Sequence, residues 1–264
     1  MGNRAGRVGL RLATAAVLVF MYVPLALILI YAFNASGGAA WPPSGFSFRW
    51  VAAAMESTGL QRALLTSLTA AIGATLIALA LGTLAAMAVA RHRFFGRETI
   101  SFAVILPIAL PGIVTGMALS TSFATTGVPL GLVAIVVGHA TFCIVLVYNN
   151  VIARLRRTAA SLEEASSDLG ADTWQTFRYV TFPNLRSAML AGALLAFALS
   201  FDEVIVTIFT AGGLQTLPIW IFQSFRLANQ VAVVNVAGVV AILLSVIPVY
   251  LASRLTQGEG IGRT

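Results

Sequence analysis

The sequence predicts an all-α membrane protein, one transmembrane domain over residues 1–264 with six membrane-spanning helices and both termini on the cytoplasmic side. Three observations carry that prediction. The chain is 59% hydrophobic and only 9% charged, with a mean hydropathy of +0.93, far more apolar than a soluble domain of this length needs to be. Six apolar stretches, at about 12–33, 63–90, 100–123, 130–152, 187–209 and 231–253, are each close to the roughly 20 residues that cross a bilayer. The basic residues are also sorted by side. All 16 are arginine, and with six crossings Arg4, Arg7, Arg11, Arg91, Arg93, Arg97, Arg154, Arg156, Arg157, Arg178, Arg186, Arg254 and Arg263 fall together, leaving Arg49, Arg62 and Arg226 opposite. Such an excess of positive residues in short loops marks the cytoplasmic side. The net charge of +7 thus reports orientation and not nucleic-acid binding, because these arginines form no single basic face.

The first stretch has the basic start and apolar run of a signal peptide. Its run exceeds the 7 to 15 residues of a signal core, so it reads as an uncleaved first span, with cleavage near Ala40 as the minor alternative. The outer loop after it contains WPPSGFSFRW, whose Trp41 and Trp50 suit the membrane interface and whose Pro42 and Pro43 prevent a helix. It reads as a lid without chemistry of its own. The third stretch holds LPIALPG, with Pro107, Pro111, Gly112 and Gly116. Prolines release backbone carbonyls and glycines let a neighbouring helix approach, so a bent, closely packed span is expected. In the fourth stretch His139 and Cys143 share a helix face. Two such ligands without nearby carboxylates read as buried packing, not as a metal site.

The loop at 153–186 is the only extended polar stretch able to face a soluble partner, SLEEASSDLGADTWQTFRYVTFP. Ser161 stands three residues before Glu164 and Asp172 three before Gln175, so each pair can cap a helix start. Gly170 can end the first helix in the left-handed conformation. Trp174, Phe177 and Val180 give the second helix an apolar face to bury, and Pro183 limits its continuation. The fifth stretch, ALSFDEVIVTIF, embeds Asp202 and Glu203. Counted from Ser187, Asp202 lies about 22 Å along a helix, in the outer half of a core roughly 30 Å thick. A carboxylate there is costly unless it faces a partner, a cavity or a cation. On a helix the two would diverge by about 100°, so that one faces the path while the other packs. Then AGGLQTLPIWIFQSF reads as a turn at Gly212 and Gly213 and a short helix begun near Pro218, with Trp220, Phe222 and Phe225 at the outer entrance or in the aromatic belt.

Absent residues exclude whole classes. A phosphate-binding P-loop needs a lysine and the chain has none; a lone Cys143 forms no internal disulfide; no serine stands in a G-x-S-x-G context. The chain reads as no enzyme and no standard ATPase.

Glu164, Ala165 and Ser166, Gly170 after three more residues, then Val180, Phe182 and Pro183, resemble the EAA loop of ABC-importer permeases, with Ser166, Val180 and Phe182 as mild departures. Together with SFDEVIVTIFTAG, LPIWIFQS, an AFN after the first span and GHATFCIVLVYNNVIARLRR, the chain is similar to inner-membrane permeases of spermidine/putrescine ABC importers, of the second-permease type, from about Tyr22 to Thr256. The resemblance implies a type I ABC-importer permease fold in a bacterial cytoplasmic (inner) membrane. It implies that Glu163, Glu164, Ala165, Ser166, Gly170 and Pro183 belong to a coupling helix and its flank that sit in a cleft of the ATPase. It implies a second permease subunit, two ATP-binding subunits that hold ATP and Mg²⁺, and an extracytoplasmic polyamine-binding protein, with no cofactor in this chain. Asp202, Glu203 and Trp220 would then line the path of a cationic substrate, with another small cationic or amino-acid-derived solute as the alternative. A secondary transporter also needs an intramembrane acid, but six spans with such a loop fit it poorly.

Overall fold

A computed structural model describes residues 4–227 and 230–257; Arg263, one of the sorted arginines, lies outside them. The described residues are almost wholly helical, and the chain divides into two compact units. The first comprises the residues up to Gln61 together with Trp220–Ile242, the second Arg62–Ile219 and the residues from Leu243 on.

In the first unit α1 (Arg4–Ala32) is apolar from Leu12 onward, as a lipid-facing helix is, after arginines at its start. Beyond it the chain wraps around Asn34, which is fully buried. Asn34 Nδ2 donates to Gly38 O at 2.8 Å, its Oδ1 accepts from Ser44 N at 3.2 Å, and its backbone O accepts from Trp50 Nε1 at 2.9 Å. The outer loop is thus built around one amide side chain, with a short helix α2 (Arg49–Glu56) that the double proline had not suggested.

Three long helices follow the expected spans: α3 (Thr58–Arg91), α6 (Leu132–Arg157) and α12 (Val231–Gln257). The third span is not one helix but two, α4 (Arg97–Ala109) and α5 (Gly112–Thr126), bent by 107°. The cause is Pro111, whose ring forces the preceding Leu110 out of the helical region, to φ −82°, ψ 144°. Among the described residues five helices are long and apolar enough to cross a membrane, or up to six if the bent pair is one span.

In the second unit α6 is the centre, with buried residues running from Ala134 to Leu155. Neighbouring helices reach it through glycines. A Cβ on Gly82 of α3 would lie 2.9 Å from both Ile144 O and Val147 Cβ. The loop 158–172 carries α7 (Ser161–Asp168), then comes α8 (Thr173–Thr176), which runs through a π turn at Phe177–Thr181 into α9 (Phe182–Phe201). On α9 a Cβ at Gly192 would lie 2.9 Å from Val147 Cα, so Val147 is gripped from two sides. After α9 come α10 (Ile205–Thr210) and α11 (Leu217–Ser224).

Candidate functional site

Outside the apolar spans, α7 ends as the glycine predicts. Gly170 has φ +85°; Ala171 N–H bonds Ser166 O at 3.1 Å and Gly170 N–H bonds Ser167 O at 2.9 Å. Together these form a Schellman motif. The second start is capped reciprocally: Asp172 Oδ1 accepts from Gln175 N at 2.8 Å and Gln175 Oε1 from Asp172 N at 2.9 Å. The first start differs from expectation. Ala160 is already helical at φ −64°, ψ −26°, and no side chain caps α7. Ser161 therefore lies inside the first turn, where its hydroxyl cannot reach back to the third amide as a cap in extended conformation does. Pro183 does not end the second helix either. Phe182 N–H bonds Phe177 O, a five-residue step, and this widening makes room for the proline ring, which would otherwise meet the carbonyl of Tyr179. The segment Thr173–Phe201 is one continuous 29-residue helix.

The apolar face is only half covered. Phe177 packs between Trp174 and Phe182, at ring separations of 5.8 and 6.1 Å, but Trp174 itself is 68% exposed and Leu169 89%. Glu164, Ala165 and Gly170 are exposed as well, while Ser166 Oγ meets Thr176 Oγ1 at 3.0 Å and ties α7 to α8. Leu169 and Trp174 thus leave apolar surface uncovered on an otherwise polar segment. Beside it lies an open cleft of about 480 Å³, lined among others by Arg91, His92, Glu163, Glu164, Asp168 and Phe177.

The two acids of the fifth span do not sit on a helix. α9 ends at Phe201, with Asp202 as its C-cap at φ −95°, ψ 1°, and the chain is non-helical until α10 begins at Ile205. The β-branched run from Val204 to Thr207 and two carboxylates able to cap explain the break. Glu203 Oε1 accepts from Val206 N at 2.9 Å, so this carboxylate is engaged as the cap of α10. Asp202 is the exposed one. The 100° divergence expected of a helix is replaced by a division of labour across a break.

A histidine spans that break. His139 is 1% exposed; its Nδ1 lies 2.8 Å from Ser200 Oγ and its Nε2 2.8 Å from Thr207 Oγ1. Thr207 Oγ1 donates its proton to Glu203 O at 2.7 Å, so toward His139 it must accept. Nε2 therefore carries the proton and Nδ1 accepts from Ser200, as a neutral imidazole does. No metal-binding group of three or more His, Cys, Asp or Glu exists among the described residues. Cys143 donates to Ala196 O at 3.3 Å.

The break of α4 and α5 adjoins the break of α9 and α10. A Cβ on Gly112, the first residue of α5, would lie 3.3 Å from Ile205 Cγ2, the first residue of α10, and one on Gly116 would strike Phe209 at 2.5 Å. Gly138 of α6 approaches Val206 in the same way, at 3.3 Å. The glycines read as packing residues are what bring the interrupted segments together. In the other unit Trp220 is 7% exposed, its indole Nε1 3.1 Å from where a Cβ on Gly59 would stand; Phe222 and Phe225 are exposed.

Interrupted helices meeting at buried polar residues, with the short polar helix α7 between two spans, are the architecture of a membrane transport permease. The family model described as binding-protein-dependent transport system inner membrane component matches residues 78–258, and the chain belongs to that family. It is 35% identical over 217 residues to the putrescine transport system permease protein PotI of Escherichia coli K12, covering 79% of this chain and 76% of that one. To the spermidine/putrescine transport system permease protein PotC of the same strain it is 30% identical over 251 residues, 94% of each. A chain of the crystal structure of a bacterial ABC transporter involved in import of the acidic polysaccharide alginate has the same fold, with a TM-score of 0.69 at 13% identity, over 98% of this chain and 97% of that one. The chain is an inner-membrane permease of the ABC-importer class, and ATP hydrolysis belongs to separate subunits of such a system.

Proposed function

We propose that this chain is a permease subunit of an ATP-driven importer for polyamines, putrescine or spermidine, and that Asp202 holds an ammonium group in passage. The observation that carries the reading is the pair of adjoining helix breaks with one uncommitted carboxylate. The C-terminal end of α9 adds its partial negative charge to that of Asp202, two sources of negative potential at one point. An ammonium about 4 Å from a carboxylate gains about 4 kcal/mol at an effective dielectric of 20. That is enough to attract a cation and little enough to let it leave. The named substrates of the relatives at 30–35% identity support the same chemistry.

In this reading the arginine-rich ends, among them Arg91, Arg154, Arg156 and Arg157, face the cytoplasm. The exposed face of Glu164, Ala165, Leu169 and Gly170 docks on one of two ATP-binding subunits, which hold ATP and Mg²⁺; this chain needs no cofactor of its own. A second permease chain completes the path, and an extracytoplasmic binding protein delivers the polyamine. ATP binding closes the ATPase dimer and moves α7 and α8, which tilts the attached spans and opens the path outward; hydrolysis resets it. Trp220 stays a secondary contact.

The test is uptake of labelled putrescine and spermidine by liposomes holding the full assembly with ATP inside. Asp202→Asn abolishes uptake with assembly intact, whereas Glu203→Gln, which keeps its acceptor oxygen, retains most of it. Wild-type liposomes that move neither polyamine, while another solute of the binding protein stimulates ATP hydrolysis, would sink the substrate assignment and leave the importer class standing.

A further inference from the structure

Glu163 and Glu164 stand side by side in the first turn of α7, yet they point to different tasks. Glu164 is exposed beside the cleft. Glu163 turns inward: its Oε1 lies 3.1 Å from Arg91 Nη2, at the end of α3, and accepts from Thr181 Oγ1 at 3.1 Å, at the end of the π turn that leads into α9. The pair is only 18% and 24% exposed. Among the described residues no aligned hydrogen bond reaches Arg91 Nε or Nη2, both shut off from water, so the guanidinium charge rests on the Glu163 carboxylate. A charge so enclosed is held firmly, because removing its partner leaves it uncompensated.

From this geometry we infer that Glu163 is a strut inside the permease and not an ATPase contact, with Arg91 as its positioning partner. One carboxylate fastens α7 to two spans at once: to α3 through an ion pair and to α9 through Thr181. A displacement of α7 by a partner subunit is therefore shared between the two helices instead of being absorbed in the turn at Gly170. This rests on the coupling role proposed for α7.

The experiment compares wild type, Arg91→Glu, Glu163→Arg and the double reversal in the full assembly. Two readouts are taken: putrescine uptake per ATP hydrolysed in liposomes, and the thermal midpoint of the complex in detergent, which needs no substrate. Each single reversal lowers uptake per ATP at least about fivefold with all subunits still associated, and the double reversal regains it to within about twofold. The double reversal also regains at least half of the midpoint lost by the singles. A double reversal no better than the worse single in either readout overturns the strut. Should wild type take up neither putrescine nor spermidine, the substrate assignment fails by itself, and the midpoint cycle still decides the strut.

Discussion

Replacing His139 by leucine removes two buried hydrogen bonds without greatly changing volume. His139 links Ser200, in the last turn of α9, to Thr207 in α10, and both hydroxyls are buried. Hydrogen bonds between membrane helices average about 0.6 kcal/mol and reach about 1.7 kcal/mol, so the pair contributes about 1–3 kcal/mol. The two hydroxyls are not left in the same state. Thr207 keeps its bond to Glu203 O, whereas Ser200 loses the nitrogen to which it donates. A hydroxyl stranded without its partner costs more than one deleted with it. The double variant His139→Leu/Ser200→Ala is thus expected to be more stable than His139→Leu alone. Unfolding of the purified complex in mixed micelles, followed by intrinsic fluorescence against added denaturing detergent, reads both. A single variant that unfolds with wild type, or a double variant weaker than the single, refutes the hydrogen-bond assignment across the break.

Other expectations follow from the same contacts. Gly192→Ala places a Cβ against Val147 Cα and lowers stability by about 1–3 kcal/mol, while Gly213→Ala meets nothing within 4 Å and leaves the unfolding curve unmoved. Glu203→Leu removes the cap of α10 and costs about 1 kcal/mol, a loss that Glu203→Gln avoids in the same unfolding assay. Asp172→Ala dismantles the capping box of α8 and raises hydrogen exchange of the Gln175 amide, with about 1 kcal/mol of local stability lost.

Features written in local pattern were readable in advance. The Asp172 and Gln175 pair, the left-handed Gly170 and the turn at Gly212 each depend on a few neighbouring residues, and each stands as the spacing required. What failed depended on the chain around the pattern. Ser161 lost its cap because Ala160 had already entered the helix, and Pro183 was absorbed by a π turn that no residue count announces. The break at Asp202 was hidden inside an apolar run long enough to be one helix, although the β-branched Val204, Ile205 and Val206 were a signal that could have located it. His139 was read as packing. Its bonds to Ser200 and Thr207 join residues 61 and 68 positions away, beyond the reach of any periodicity. Arg91 was counted only as a marker of sidedness, since nothing in the sequence pairs it with Glu163.

The absorbed proline has one more result. Because the π turn widens without breaking, Asp202 stands at the far end of the same uninterrupted rod that begins at the Asp172 cap, 29 helical residues or about 43 Å away. In the proposed coupling, twist or tilt applied where the exposed Trp174 sits reaches the acidic break along this one continuous helix. One element then sets the timing of that coupling at both ends, so that the carboxylate moves in the same stroke as the proposed docking face.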